Sequence, residues 1–416
     1  MIWRSPSLEW LRPGLRVKRY AALAALGLLL ALFGVGLASA GAPFPELARW
    51  LLARGVSPVG VGAAALVVGV LLLVLGIRWM NRSILSALTD PDRVPALVYR
   101  RRRLEAGPRV VALGGGTGLG RLLSGLKSVT AHTTAVVAAT DDGGSTGRLR
   151  AAFGVPAVGD LVDCMAALSP AARTPELMRY RFARGGELAG HTFGNLFLVS
   201  LYELTGDFAE AIRSANRMLA LLGAVWPSTP ESAVLVAELD DGRRVAGECR
   251  LRQAGGRVAR VALDPPEVAA MPEAVAALER AELVVLGPGS LFTSIVASLL
   301  PPKVRAAVRA SPGRLVQVVN LMSEPGETDG MDAFAHVEAV ARHLGRWPEV
   351  ALVHTAGFPE GVLARYAAEG QHPVPYDPAP FQARGIRVVE GDFLEAGPLA
   401  QHDPKKLIRA LVGLLP

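Results

Sequence analysis

A glycine-rich segment, Gly114-Gly-Gly-Thr-Gly-Leu-Gly120, separates a short apolar run from a helical pattern that begins at Arg121. A glycine-rich turn into a helix presents backbone N–H groups and the positive end of the helix dipole to an anion. Glycine is needed because a Cβ atom would hold a phosphate away. Leu119 and Arg121 break the dinucleotide fingerprint, and no P-loop Gly-Lys-Ser/Thr follows. We predict a phosphate-binding loop, against the alternative of a tight turn without ligand, formed by Gly114, Gly115, Gly116, Thr117 and Gly118.

A second loop, Thr140-Asp-Asp-Gly-Gly-Ser-Thr-Gly-Arg148, follows the next predicted strand. Its carboxylates suit ribose hydroxyls or, alternatively, Mg²⁺, a cation that prefers oxygen ligands. Its arginine can pair with a phosphate. Because two such loops end adjacent strands, we expect one ligand with two phosphates to bridge them; a solvated acidic turn is the alternative. The ligand candidates are Asp141, Asp142, Gly143, Gly144, Ser145, Thr146 and Arg148, and the Mg²⁺ candidates are Asp141 and Asp142.

Further polar residues lie where predicted strands or loops lead into helices. In Gly190-His-Thr-Phe-Gly-Asn195, Thr192 is a candidate helix cap. His191 and Asn195 are candidates to contact a base, a sugar or a metal, or else to be structural. The remaining candidates are Ser228, Thr229, Gly287, Gly289, Ser290, Thr293 and Asn320. The sequence has no Gly-x-Ser-x-Gly elbow and no His-Glu-x-x-His motif, so it predicts a phosphate-holding site without indicating a reaction.

The elements that position these loops form an alternating pattern after residue 109. Strands are predicted at 109–113, 134–139, 283–286, 315–319 and 351–354, and helices at 207–222, 271–280, 332–344 and 404–415. Between about 231 and 264 the pattern and an Asp241-Gly242 turn predict an antiparallel β excursion, with strands at 232–239, 245–252 and 257–263. The predicted fold class is α/β: a Rossmann-like, three-layer, mostly parallel sheet with its candidate residues at the carboxyl edge.

Two uncharged apolar runs, at about 20–40 and 55–77, precede this domain. Each has about 20 residues, the length at which a helix crosses a bilayer. We predict a transmembrane helical hairpin over 20–77; a cleaved signal peptide and buried core helices are the alternatives. Lys and Arg flank the hairpin on both sides but are sparse in its loop. The basic N-terminus, residues 1–19, and the C-terminal domain, 109–416, are therefore predicted to face the cytoplasm at the bacterial inner membrane.

Positive charge is concentrated around this hairpin. Residues 1–109 hold 15 basic and 5 acidic residues, a balance of +10, so that the remaining chain carries −3 of the total +7. The mildly acidic domain therefore gives no argument for binding nucleic acid. An arginine-rich linker is predicted at 78–108, in which Arg100 to Arg103 either contact anionic lipid headgroups or remain solvated. Cys164 and Cys249 lack the spacing of a metal site and are interpreted as structural thiols.

These motifs resemble those of the bacterial YvcK-like gluconeogenesis factors, which are related to CofD, the 2-phospho-L-lactate transferase of coenzyme F420 synthesis. The resemblance runs from about Val110 to the C-terminus. It rests on the two glycine-rich loops, Gly-His-Thr-Phe-Gly-Asn, Pro-Ser-Thr, Leu-Gly-Pro-Gly-Ser-Leu-Phe-Thr-Ser and Asn-Leu-Met-Ser-Glu-Pro-Gly-Glu-Thr. Gly159-Asp160 also matches, which adds Asp160 to the ligand candidates. Val162-Asp163 departs from the family, in which an Arg-Asn pair is commoner.

The resemblance implies a regulator that binds UDP-sugars such as UDP-N-acetylglucosamine. It also implies a role in cell morphogenesis and envelope synthesis during gluconeogenic growth. The partner in wall synthesis is not identified, and a homo-oligomer is left open. The alternative is an Mg²⁺-dependent transferase that acts on a phosphoester. Against it, the transferase branch lacks the Asp-Asp-Gly-Gly-Ser and His-Thr-Phe-Gly-Asn segments that this chain carries.

Overall fold

Two long apolar helices dominate the N-terminal part of the chain. A computed structural model describes residues 17–39, 44–85 and 94–415. The chain divides into an N-terminal unit, residues 1–101, and a C-terminal unit, residues 102–416.

Helices α1 (Val17–Ala38) and α3 (Pro58–Leu85) flank the short helix α2 (Pro45–Ala53). Both α1 and α3 are long and apolar enough to cross a membrane. Helix α3 continues beyond the predicted span into the expected linker, which also contains α4 (Val94–Glu105).

Glycines bring α1 and α3 into direct backbone contact. A Cβ atom on Gly34 would lie 2.5 Å from the Leu66 nitrogen, and one on Gly27 would overlap the Leu73 nitrogen. Small residues at such positions are how apolar helices approach each other closely in lipid. Leucines such as Leu29, which is 64% exposed, cover the outer surface of the pair. The two helices therefore pack as a hairpin with an apolar exterior.

Ten strands form two sheets in the described part of the C-terminal unit. The strands are β1 (Val110–Gly114), β2 (Thr133–Val137), β3 (Ala224–Pro227), β4 (Val234–Leu239), β5 (Arg244–Ala246), β6 (Val258–Asp264), β7 (Leu283–Leu286), β8 (Arg314–Val318), β9 (Val350–His354) and β10 (Arg387–Gly391). The larger sheet has the order β10-β9-β8-β7-β1-β2-β3, and its strand pairs are parallel. The predicted parallel α/β fold is confirmed, and β3 and β10 are additions to the predicted strands.

Helices follow β1 along the chain, and several of them cover the large sheet on its two faces. They are α5 (Gly116–Leu126), α6 (Gly144–Phe153), α7 (Gly159–Leu168), α8 (Thr174–Arg179), α9 (Phe193–Thr205), α10 (Phe208–Met218), α11 (Glu248–Ala254), α12 (Pro272–Leu278), α13 (Ala297–Leu299), α14 (Pro302–Ala310), α15 (Ala333–Leu344), α16 (Glu360–Ala368), α17 (Ala379–Arg384) and α18 (Pro404–Val412). A short 3₁₀ helix spans Gly186–Leu188, and a π-helix spans Leu291–Val296.

Alternate residues of the central strands enter two separate cores. In β1, Val110 and Ala112 pack with α5, α7 and α9, whereas Val111 and Leu113 pack with α12, α14 and the smaller sheet. All residues of β1 are buried, because a parallel strand in the middle of such a sheet is covered on both faces. This is the predicted three-layer arrangement.

The predicted antiparallel excursion is present, with one correction. Strands β4, β5 and β6 form an antiparallel sheet in the order β5-β4-β6. The strand predicted at 245–252 ends at Ala246, and α11 takes its place. Gly247 has a φ of +94°, a conformation that L-residues rarely adopt, so it turns the chain out of the strand. The apolar side chain of Leu251 then packs inward from a helix instead of a strand.

Candidate active-site cleft

A cleft lies at the carboxyl edge of the large sheet. Its volume is about 480 Å³, within the range of about 300–1,000 Å³ that is usual for small-molecule sites. Segments that follow β1, β2, β7 and β8 line it, as in other open α/β sheets. The predicted site residues that line the cleft are Gly115, Gly116, Thr117, Gly118, Asp141, Asp160, Gly289, Ser290 and Asn320.

The glycine loop after β1 is packed too tightly to accept side chains. A Cβ atom on Gly115 would overlap Asp160 Oδ2, and one on Gly118 would lie 2.8 Å from the Pro288 carbonyl oxygen. Gly116 has a φ of +63°, in the left-handed region that favours glycine. These glycines therefore allow the start of α5 to lie against both α7 and the loop after β7.

Asp160, on α7, lies directly beneath this loop. The Gly116 N–H donates a hydrogen bond to its carboxylate. Burial, together with the charges of Asp141 and Asp163, raises the pKa of Asp160 to about 7. The group therefore gains or loses its proton near neutral pH. An anion bound in the cleft would favour the protonated form of Asp160, whereas a bound cation would favour its carboxylate. The charge of the ligand therefore affects whether Asp160 holds a proton.

Two further acids with displaced pKa values were not predicted as site residues. Glu248 begins α11, lines the cleft and accepts a hydrogen bond from the Thr140 hydroxyl at 2.7 Å. Burial raises the pKa of Glu248 to about 8, with smaller contributions from nearby carboxylates. Glu327 accepts the Phe292 N–H at 3.3 Å, and burial followed by the charge of Glu324 raises its pKa to about 8. Both acids are therefore largely protonated at neutral pH.

The positive charges at the cleft come from residues outside the predicted set. Arg252, also on α11, lines the cleft, is exposed and forms no ion pair with any residue that the structure describes. Arg121, on α5, is held by the C-terminal segment: its Nε donates to the His402 carbonyl at 3.0 Å and its Nη1 to Gln401 Oε1 at 2.8 Å. Its Nη2 pairs with the Glu395 carboxylate. The segment that ends in His402 thus forms one wall of the cleft.

Other predicted site residues form a buried hydrogen-bond network between α6 and α9. Ser145 Oγ lies 2.9 Å from His191 Nδ1, and Asn195 Nδ2 donates to Ser145 Oγ at 3.0 Å. Thr146 lies within reach of the same amide, at 3.5 Å. Thr192 caps α9 by accepting the Asn195 N–H, as predicted. The buried side chains of Ser145, Thr146, His191 and Asn195 do not line the cleft, and their contacts join the second glycine loop to α9.

Removal of the network amide by Asn195→Ala is expected to lower the free energy of unfolding by about 1–3 kcal/mol, because it leaves the buried Ser145 hydroxyl with one partner fewer. Urea unfolding followed by circular dichroism would measure this loss. Ser200→Ala, on the exposed side of the same helix, is the control and should change stability little. Unchanged stability with lost ligand binding would instead make Asn195 a ligand contact.

The two aspartates of the second loop point to different places. Asp141 lines the cleft, whereas Asp142 Oδ1 accepts the Cys249 N–H at 2.9 Å at the start of α11. As a candidate pair for Mg²⁺, they offer the cleft one carboxylate, and the charge of Asp141 acts on both Asp160 and Glu248 there. Within the described ranges, no group of three His, Cys, Asp or Glu side chains is arranged to hold a metal ion.

The remaining candidates contribute to the framework around the cleft. Arg148 donates to the Ala189 carbonyl at 3.1 Å, and the Ser228 N–H donates to the Val137 carbonyl at 2.8 Å. Thr229 Oγ1 accepts the Glu231 N–H at 3.1 Å. Thr293 is buried in the π-helix that follows β7. The framework residues that do not line the cleft also include Gly114, Gly143, Gly144 and Gly287.

The departure at residues 162–163 lies outside the cleft as well. Val162, on α7, is buried in the core, and Asp163 forms an ion pair with Arg179 at 2.8 Å. Neither residue lines the cleft. The departure therefore adds no side chain to the walls of the cleft, but the charge of Asp163 contributes to the raised pKa of Asp160.

The open parallel sheet and its strand-end cleft define an α/β protein whose cleft has the size of a small-molecule site. The family model described as 2-phospho-L-lactate transferase CofD matches residues 110–394. The gluconeogenesis factor of Bacillus subtilis is 38% identical over 74% of this chain and 98% of its own length. The chain belongs to the CofD-like family, among its gluconeogenesis factors.

The similarity extends over nearly the whole chain. A protein of Deinococcus radiodurans is 41% identical over 97% of this chain and 89% of its own length, so that its match includes the N-terminal helices. Among solved structures, the crystal structure of protein BH3568 from Bacillus halodurans is 37% identical. It has a TM-score of 0.71 and covers 74% of this chain and 99% of that chain. The same protein is described elsewhere as a member of the UPF0052 family.

Proposed function

We propose that the cleft binds a UDP-sugar, with UDP-N-acetylglucosamine as the first ligand to test, and that the protein regulates cell morphogenesis and envelope synthesis during gluconeogenic growth. The observation that carries the proposal is the first glycine loop, which opens into the strand-end cleft at the start of α5. Backbone N–H groups at such a position suit the phosphates of a nucleotide. Arg252 adds a guanidinium without an ion-pair partner among the described residues, which suits a diphosphate.

Ligand binding should appear first as a gain in stability. At a ligand concentration about 100 times its dissociation constant, the free energy of unfolding should rise by about 2.7 kcal/mol. Thermal unfolding of the full chain in detergent, with UDP-N-acetylglucosamine, UDP, GDP and NAD compared, would measure this gain. A shift with GDP alone would count against the proposal.

The variant Asp160→Asn should retain the fold but change how the ligand-induced gain in stability depends on pH, since the acid titrates near neutral pH.

A transferase remains the second candidate because the family model carries that activity in its description and acids line the cleft. Asp141 and Asp160 are the carboxylates that would hold Mg²⁺ there, since Asp142 is bound to the backbone of α11. A regulator releases its nucleotide sugar unchanged, whereas a transferase consumes it. Incubation with Mg²⁺ and phosphoester donors, followed by product analysis, separates the two. A Mg²⁺-dependent product would show that the protein acts as an enzyme and not as a regulator.

We also propose that α1 and α3 cross the bacterial inner membrane and hold the C-terminal unit on the cytoplasmic side. Two spans of sufficient length and the basic flanks of both support this orientation. A regulator placed there lies beside the membrane at which wall precursors are assembled. Protease added to intact spheroplasts should leave the C-terminal unit uncut. Digestion of that unit before lysis would overturn the orientation.

A further inference from the structure

Helix α2 joins the two long apolar helices at the turn of the hairpin. It is nine residues long, and its side chains Ala48 and Leu51 are buried together with Leu37 of α1. Val61 of α3 packs against the same cluster. Because both basic flanks of the hairpin are proposed to face the cytoplasm, the turn and α2 would lie at the outer surface of the membrane. The helix is therefore packed onto the end of the hairpin and is not a loose connection.

The remaining surface of α2 is divided between polar and apolar side chains. With about 3.6 residues per turn, Glu46 and Arg49 lie on the side opposite the buried cluster, where both are exposed. Trp50 and Leu52 lie at the two edges between this polar side and the buried one. Trp50 is 49% exposed and Leu52 is 62% exposed. Large apolar side chains at both edges of a helix with a polar outer side suit an apolar medium that surrounds the helix laterally, as lipid does.

The edge at Trp50 is continuous with the apolar exterior of the hairpin. An open groove of about 710 Å³ lies along this edge and is lined by Phe44 and Trp50, with the first residues of α2 between them. The Phe44 ring contacts Phe33 of α1, with 5.1 Å between the ring centroids. The guanidinium carbon of Arg54 lies 3.9 Å from the centroid of the Trp50 ring. Tryptophan rings favour the membrane–water interface, and an arginine beside one can cover apolar surface while its charge reaches the headgroups.

We propose that α2 is an interfacial helix that lies among the phospholipid headgroups of the outer leaflet. Trp50 and Leu52 meet the first segments of the acyl chains, whereas Glu46 and Arg49 face water. The helix then fixes the depth at which the hairpin turns. This inference rests on the proposal that α1 and α3 cross the membrane, and it assigns the segment between them to a position in the bilayer.

Cysteine substitution in the full chain, examined in intact spheroplasts, tests this position. The variants Glu46→Cys, Arg49→Cys, Trp50→Cys and Leu52→Cys are treated with a membrane-impermeant maleimide. The first two should react at least about ten times faster, because apolar surroundings raise the pKa of a thiol and each unit lowers the reactive thiolate about tenfold. The two native cysteines lie in the C-terminal unit, which the proposed orientation separates from the reagent. Equal reaction of the four variants in sodium dodecyl sulfate is the control.

Fluorescence quenching then tests whether lipid is the occupant. The purified full chain is placed in phosphatidylcholine vesicles whose acyl chains carry bromine near the glycerol, where it quenches the tryptophans that it contacts. Trp50 is one of six tryptophans. Trp50→Phe should lower the quenched fraction of the emission, because it removes a tryptophan in contact with lipid. Trp347→Phe is the matched control and should raise that fraction slightly, because Trp347 stacks on Phe334 inside the C-terminal unit.

The outcomes separate this inference from the membrane crossing on which it rests. Equal reaction at all four positions in spheroplasts would overturn the interfacial position while the crossing stands. Absence of reaction at every position before lysis would overturn the outward orientation of the turn, and this inference with it. Protection of Trp50→Cys and Leu52→Cys without any effect of Trp50→Phe on quenching would show that a protein covers the helix, which would overturn lipid as the occupant.

Discussion

Replacement of Gly115 by alanine is expected to lower the free energy of unfolding by about 1–3 kcal/mol, the usual cost of overpacking a tight interior, and to abolish nucleotide binding. The new methyl group would overlap Asp160 Oδ2. The carboxylate cannot simply withdraw, because it also accepts the Gly116 N–H. The start of α5 must therefore move away from α7, which displaces the N–H groups that would meet a phosphate. Urea unfolding and calorimetric titration with UDP-N-acetylglucosamine would measure both effects.

Gly361→Ala is the matched control for this change. Gly361 lies in α16, and a Cβ atom there would meet nothing within 4 Å. Alanine in a helix is favoured over glycine by about 0.5–1 kcal/mol, so this variant should be slightly more stable. If Gly115→Ala retained the stability and the affinity of the wild type, the close contact between the glycine loop and Asp160 would be refuted.

Replacement of Glu248 by glutamine is expected to stabilise the protein at pH 8 by on the order of 3 kcal/mol, with little effect at pH 4. Burial raises the pKa of Glu248 from 4.5 to about 8. As the pH rises between these values, the unfolded chain releases the proton and the folded protein keeps it. The wild type therefore loses stability over this window. Glutamine cannot ionise, and it can still accept the hydrogen bond from Thr140.

The measurement is urea unfolding of wild type and variant at pH 4, 6 and 8. Glu360→Gln is the control, since Glu360 is exposed at the start of α16 and lies outside the cleft. Its effect on stability should be small and nearly independent of pH. A difference between Glu248→Gln and the wild type that is the same at pH 4 and pH 8 would show that this acid does not titrate within the window.

The parallel core of the fold could be predicted because its sequence signals are local. Val110 to Leu113 is an apolar run followed by glycines, and β7 repeats the arrangement before Gly287. Such runs need no information about distant residues. The loops after β1, β7 and β8 could likewise be placed at one edge, since parallel strands direct their carboxyl ends to the same side. Gly115, Ser290 and Asn320 do line the same cleft.

The other walls of the cleft are formed through contacts between residues far apart in the chain, which no local sequence pattern indicates. Glu248 and Arg252 reach the cleft because Gly247 turns a predicted strand into a helix. Gln401 and His402 lie in the segment after β10, a strand that the sequence did not predict, and they reach the site through Arg121. His191 and Asn195 show a different case: the sequence leaves them open between a ligand contact and a structural role, and in the structure their side chains bond to Ser145. Only the packing of α6 on α9 distinguishes these roles.

The bond between Arg121 and Gln401 joins residues 280 positions apart in the chain. Such non-local contacts form late, because the intervening chain must be ordered first. During synthesis the apolar helices leave the ribosome early, while the cleft still lacks the wall that ends in His402. The proposed transmembrane hairpin can therefore form before the cleft exists. The proposed ligand can then act on the finished protein, but it cannot act on the insertion of the hairpin.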